Sequence, residues 1–160
     1  MIEELKQKLE EEITRLTHEL QVSLPAAIKT AVEHGDLREN SEYKSALERQ
    51  QFVQARLNHL TRRMQELSKI DLAEIPDDRV GFGTRVTVED LRSKDEETYT
   101  LVFGDYIDID TGQISMASPL GRSLLGKKVG EEVQLQLPRG ERLLRVKELT
   151  TLPEMARGGN

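Results

Sequence analysis

Asp36 and Glu39 stand three residues apart in the run Glu33-His34-Gly35-Asp36-Leu37-Arg38-Glu39-Asn40-Ser41-Glu42-Tyr43. Around a turn, or in a first helical turn, that spacing lets both side chains face the same way. Carboxylates are hard oxygen ligands, and Mg²⁺ keeps several waters while taking only one or two of them from a protein. Alone the pair binds such an ion weakly. Completed by another molecule's ligands, it can hold a second metal or orient a water for phosphodiester hydrolysis. On spacing alone a plainer role is the stronger reading. Acids are favoured in the first turn of a helix by its dipole, and Asn40 or Ser41 is a good cap for one. Glu33 and Glu42 deepen the local negative charge, which only Arg38 opposes.

Two long segments must carry that acidic run. Ile2, Leu5, Leu9, Ile13, Leu16, Leu20, Leu24, Ile28 and Ala31 recur at steps of three or four and form one apolar stripe. Tyr43, Ala46, Gln50, Val53, Leu57, Leu60, Met64 and Leu67 then alternate three and four as a heptad seam. Residues 1–75 therefore read as an antiparallel helical hairpin with arms of roughly 30 residues, about 45 Å long, and its acidic tip at 33–43. Pro25 predicts a kink near 23–25, with Ser23 as the cap of a restarted helix.

After Ile75-Pro76-Asp77-Asp78 the pattern changes to short β-like runs at 85–88, 98–102, 133–137 and 143–146, separated by Gly-containing turns. Ser118-Pro119-Leu120 opens a short capped helix that stops at Gly126. The expected class is α+β, with a β-rich domain over 76–152 and a flexible tail over 153–160.

Composition removes several chemistries. The chain has 160 residues and no Cys, which excludes thiol catalysis and Cys-based zinc sites. Three scattered His do not make a zinc centre. A net charge of −6 and 4% aromatics without Trp argue against direct wrapping or stacking of nucleic acid. No apolar run approaches a membrane span and no leader is read at the start, so the cytoplasm is the expected compartment.

The tip run closely resembles the signature of bacterial Gre transcript cleavage factors, of the GreA type. Ser115-Met116-Ala117-Ser118-Pro119-Leu120-Gly121-Arg122-Ser123-Leu124-Leu125-Gly126-Lys127 looks like that family's C-terminal signature, and Gly83-Thr84-Arg85-Val86-Thr87-Val88 also matches. The resemblance implies a coiled-coil hairpin followed by an FKBP-like domain. It implies that the globule docks at the rim of the RNA polymerase secondary channel while the hairpin passes down it. Asp36 and Glu39 would then help hold a Mg²⁺ shared with the polymerase, which cuts backtracked RNA near its 3′ end. By the same resemblance Gly35, Asn40, Glu42 and Tyr43 support the tip, and Ser118, Pro119, Leu120 and Arg122 form the polymerase-binding edge. The chain itself would not be an enzyme and would be a monomer when free.

Two positions depart from the family pattern. Val32 and Leu47 stand where members often carry Arg, and Lys29, Arg38, Lys44 and Arg49 are the cations available to replace them. A channel-binding regulator that does not cleave is the nearest rival reading. A peptidyl-prolyl isomerase would need an aromatic-walled pocket, for which the second half offers Phe82, Tyr99, Phe103 and Tyr106. A purely structural adaptor would need only the heptads. His18 and His59 read as solvated helix residues, and His34 as part of the turn.

Overall fold

The computed structural model describes residues 1–37 and 39–158, so Arg38 and the last two residues of the expected tail lie outside the described residues. The chain divides into two compact units, Met1–Ile70 and Asp71–Asn160. Each is built on its own core.

The first unit is the helical hairpin. One arm comprises α1 (Ile2–His18), a π-helical turn (Glu19–Ser23) and α2 (Leu24–Glu33); the other is α3 (Ser41–Ser68). Leu9, Leu16, Leu24 and Ala31 from the first arm and Ala46, Val53, Leu57, Leu60 and Leu67 from the second are buried along the seam. Two ion pairs fix the antiparallel register. Arg56 grips Glu12 through two bonds of 3.0 and 3.2 Å, and one heptad further on Arg49 grips Glu19 at 3.0 to 3.1 Å.

The expected kink is present in a different form. Ser23 has helical angles and makes no capping bond, so it does not restart a helix. The buried positions explain why. Leu9 to Leu16 spans a heptad, Leu16 to Leu24 spans one residue more, and Leu24 to Ala31 spans a heptad again. A π turn hydrogen-bonds five residues apart and takes up the added residue, so Leu24 returns to the seam. Pro25 falls in the first turn of α2, where no N–H is needed.

The second unit is a five-stranded sheet in the order β3-β2-β1-β5-β4, formed by β1 (Arg85–Asp90), β2 (Glu96–Val102), β3 (Gln113–Ser115), β4 (Glu132–Leu137) and β5 (Gly140–Thr150). β2 and β3 run parallel, and the other neighbours run antiparallel. Val86, Val88, Leu101, Val133, Leu144 and Val146 point into one core, closed by Leu124 of α4 (Pro119–Leu124) and by Val80. The α+β class expected from the sequence is the one observed.

Two boundaries differ from expectation. Residues 71–75 belong with the sheet unit rather than with the hairpin. The tail expected to be flexible over 153–160 forms α5 (Leu152–Gly158) through its described part. Thr151 and Leu152 are buried, the Thr151 hydroxyl donates to Glu154 at 3.1 Å, and Met155 N–H donates to the Thr151 carbonyl at 3.0 Å. These contacts make a capped first turn, which a tail without side-chain anchors could not hold.

Candidate functional site

The hairpin turns between α2 and α3. His34 closes α2 with its N–H on the Ala31 carbonyl at 3.2 Å, and Gly35 follows with its N–H on Val32 at 3.2 Å. Gly35 sits at φ +102°, in the region where a Cβ is strained, so a glycine here turns the chain out of the helix. Asp36 comes next, exposed. Glu39, also exposed, immediately precedes the cap of α3.

That cap is Asn40, not Ser41. The Asn40 side-chain oxygen accepts from the Tyr43 N–H at 3.0 Å, and its Nδ2 donates to the Ala31 carbonyl at 2.7 Å. One carboxamide therefore bonds the first turn of α3 and the last turn of α2. The second bond has no signal in the sequence, since its partner is a backbone carbonyl nine residues back with no side-chain signature. Tyr43 is half-buried in the first turn of α3, supporting the tip through its backbone. Glu42 faces His34, with 3.3 Å between Oε2 and Nδ1.

These residues meet in a surface depression of about 320 Å³ lined by His34, Asp36, Glu39, Asn40, Ser41 and Glu42. Asp36 and Glu39 thus face one space from opposite sides of the bend. Among the described residues no group of three or more His, Asp or Glu is arranged to hold a metal ion. The donor set still fits a hard divalent cation in part: exposed carboxylate side chains line the depression, which is open to ligands from elsewhere. Coulomb repulsion among Asp36, Glu39 and Glu42 makes the same space unfavourable for a bare phosphate.

The cations that were candidates to replace the missing arginines fall differently. Lys29 and Lys44 are exposed. Arg49 is held by Glu19 along the Nε–Nη2 edge of its guanidinium, which raises its pKa further, and lies 5.2 Å from the Phe52 ring centroid. It serves as a strut between the arms. Val32 is 46% exposed, so the tip carries an apolar side chain at that point.

The second predicted site maps onto α4. Ser118 is its N-cap, accepting from Gly121 N–H at 3.1 Å and donating to the Ser115 carbonyl at 2.6 Å. Gly121 lets α4 sit directly on that carbonyl, since a Cβ there would collide with Ser115 O and stand 3.0 Å from Met116 Cα. Leu120 packs against the core of the sheet unit. Of the four predicted docking residues, Pro119 and Arg122 are therefore the exposed ones, joined by Leu125 at 47% exposure. Ser118 and Leu120 hold the edge from beneath.

The peptidyl-prolyl isomerase reading gains no enclosure from the aromatics of this unit. Phe82 and Phe103 stack on each other at 4.7 Å, and the Tyr99 hydroxyl bonds to Glu97. Among the described residues, no helix is long and apolar enough to cross a membrane.

Comparison with known proteins supplies the context. Residues 1–68 match the family model described as "Transcription elongation factor, N-terminal", and residues 75–151 match "Transcription elongation factor, GreA/GreB, C-term". The chain is 41% identical over 144 residues to transcription elongation factor GreA of Desulfotalea psychrophila, covering 90% of this chain and 89% of that one. It is 44% identical over 140 residues to the GreA of Nitratidesulfovibrio vulgaris, covering 88% and 85%. A solved structure of GreA factor homolog 1 from Thermus thermophilus aligns with a TM-score of 0.41 and 28% identity, covering 90% of this chain and 93% of that one.

Proposed function

Because the chain belongs to the GreA/GreB family of transcription elongation factors, we propose that it acts on RNA polymerase by stimulating cleavage of backtracked RNA at the polymerase's own centre. The observation that carries this reading is the joint placement of Asp36 and Glu39 around one open depression at the end of a long hairpin.

The chain's contribution is positional. The hairpin presents Asp36 and Glu39 as two oxygen ligands at the end of arms stiffened by the buried seam and the Arg49–Glu19 and Arg56–Glu12 pairs. The other ligands come from the polymerase, which makes the chain a co-factor for that enzyme's chemistry and not a nuclease. A Mg²⁺ held jointly in this way supplies charge neutralisation and water activation for phosphodiester hydrolysis. The acidic tip repels RNA phosphate on its own, so its approach to the nascent 3′ end depends on the divalent ion. That dependence gives selectivity for the assembled complex. Pro119, Arg122 and Leu125 form the edge by which the globular unit grips the polymerase. A hairpin that satisfies its own seam needs no second copy, so the free protein is a monomer.

A regulator that occupies the channel without cleaving is the second reading. It is favoured by one observation: Arg49 is engaged by Glu19, and Val32 and Leu47 offer no cation to RNA.

RNA release from purified backtracked complexes in Mg²⁺ separates the two. The wild type is expected to cleave and Asp36→Asn/Glu39→Gln is expected not to, while competing equally for polymerase. Binding without cleavage by the wild type, beside an active control factor, would establish the second reading instead.

A further inference from the structure

The buried seam does not reach the tip with full-sized side chains. Its last buried members there are Ala31 and Ala46, at 2% and 9% exposure, whereas Leu9, Val53 and Leu60 are fully buried further along. Alanine contributes little area and little shape to a seam, so apolar packing leaves the arms free to slide or twist slightly past each other at this end. Asp36 lies in the turn three residues past the end of α2 and Glu39 two residues before the start of α3. Movement of the arms is passed to their separation through these short tethers.

Two side-chain contacts tie the arms at this level among the described residues: the exposed His34–Glu42 contact at 3.3 Å, and Asn40, which is half-buried and reaches both backbones. Its two edges are used for different backbones: Nδ2 reaches the Ala31 carbonyl at 2.7 Å, and Oδ1 takes the Tyr43 N–H at 3.0 Å. A carboxamide is planar, with donor and acceptor at a fixed angle, so both bonds form together only in one register of the arms. The bonded carbonyl belongs to the last turn of α2, where it also accepts the His34 N–H at 3.2 Å, so the Asn40 bond uses its second lone pair. Asn40 is also half-buried beneath the depression that the acids line.

We propose that Asn40 is a positioning residue, which sets the Asp36–Glu39 separation by locking the register of the two arms at the tip. This rests on the cleavage reading above. The two edges predict different consequences on substitution. Asp is as good an N-cap as Asn and keeps the bond from Tyr43 N–H, but its carboxylate cannot donate to the Ala31 carbonyl. Asn40→Asp therefore preserves the helix start and removes the bond by which Asn40 ties the arms, leaving the exposed His34–Glu42 contact in place.

The experiment compares wild type, Asn40→Asp and Asn40→Ala in full-length protein. Three readouts are taken: competition for polymerase, cleavage at saturating factor over a Mg²⁺ series, and amide exchange in the free protein. Asn40→Asp is expected to bind polymerase like wild type and to keep the Tyr43 amide protected. Its cleavage should fall roughly a hundredfold, as small misplacements of reacting groups do, with a higher Mg²⁺ requirement. Faster exchange over residues 32–37 is expected in the same variant. Asn40→Ala should lose both ties, including protection at Tyr43.

Wild-type cleavage and wild-type exchange in Asn40→Asp would overturn the assignment and leave Asn40 as a helix cap alone. A loss of cleavage that merely tracks lost polymerase binding would overturn it as well. If the wild type binds without cleaving, the cleavage reading fails and the catalytic consequence of the lock falls with it. Exchange in the free protein still decides whether the lock exists.

Discussion

Arg157 Nη2 donates to Asp77 Oδ2 at 3.0 Å, joining the last turn of the C-terminal helix to the segment that opens the globular unit. Both side chains are more than half exposed, so the pair itself is worth a fraction of a kcal/mol. The apolar contacts beside it matter more. Leu72, Ala73, Pro153, Ala156 and Arg157 line one small hollow of about 270 Å³, and Leu152 is 7% exposed. This is the physical reason that residues 71–75 sort with the sheet unit and not with the hairpin.

Leu152→Ala is accordingly expected to cost the globular unit about 2 kcal/mol, the lower end for a buried leucine. Arg157→Ala should cost little. Urea denaturation of the full chain checks both. Equal, negligible effects would mean that α5 rests on the sheet without stabilising it.

Gly121→Ala should disrupt the docking edge selectively. The new methyl group meets the Ser115 carbonyl and Met116 backbone, which cannot move without shifting β3. A destabilisation of about 1–3 kcal/mol is expected from overpacking. Polymerase competition should weaken while helicity at 222 nm, dominated by the hairpin, stays constant. Unchanged competition would take α4 out of the interface.

Acid should weaken the globular unit in a narrow window. The Arg79 guanidinium, hydrogen-bonded to Asp78, holds that carboxyl at about 2 against an ordinary 3.8, with Lys128 adding its charge. Asp90 is also lowered, first by the Arg92 and Ser93 backbone N–H groups and then by Arg142. Both carboxyls protonate earlier in the unfolded chain, so their stabilisation is complete above about pH 4 and is lost as pH falls toward 2. Urea midpoints at pH 5 and pH 3 measure this. Asp78→Asn should flatten the dependence slightly, because its ion pairs are solvated. An increase in the dependence would contradict the pairing.

Much of the architecture was legible because periodicity reports burial directly. Ala46, Val53, Leu57, Leu60 and Leu67 lie where the heptads put them. Even the π turn leaves a trace, in the extra residue between Leu16 and Leu24. The sequence pattern marks only 143–146 of β5, which runs over eleven residues, because Lys147 and Glu148 on its outer part conceal its reach. The parallel pairing of β2 with β3 has no local signal at all. α5 did have one: Thr151-Leu152-Pro153-Glu154 is a capping sequence with proline in the first turn. At the tip, the acids were found by type and spacing. The second bond of Asn40 was not, since backbone acceptors carry no residue identity.

The π turn at Glu19–Ser23 also has a bearing on how such an arm tolerates gain and loss of single codons. Removing one residue elsewhere in α1 or α2 would rotate every later side chain by about 100° and carry half the stripe into solvent. Within the wide turn, the same loss leaves a chain that can close as ordinary helix and keeps Leu16 and Leu24 in phase. The arm thus contains one segment in which its length can drift by a residue without misdirecting the acids at its end.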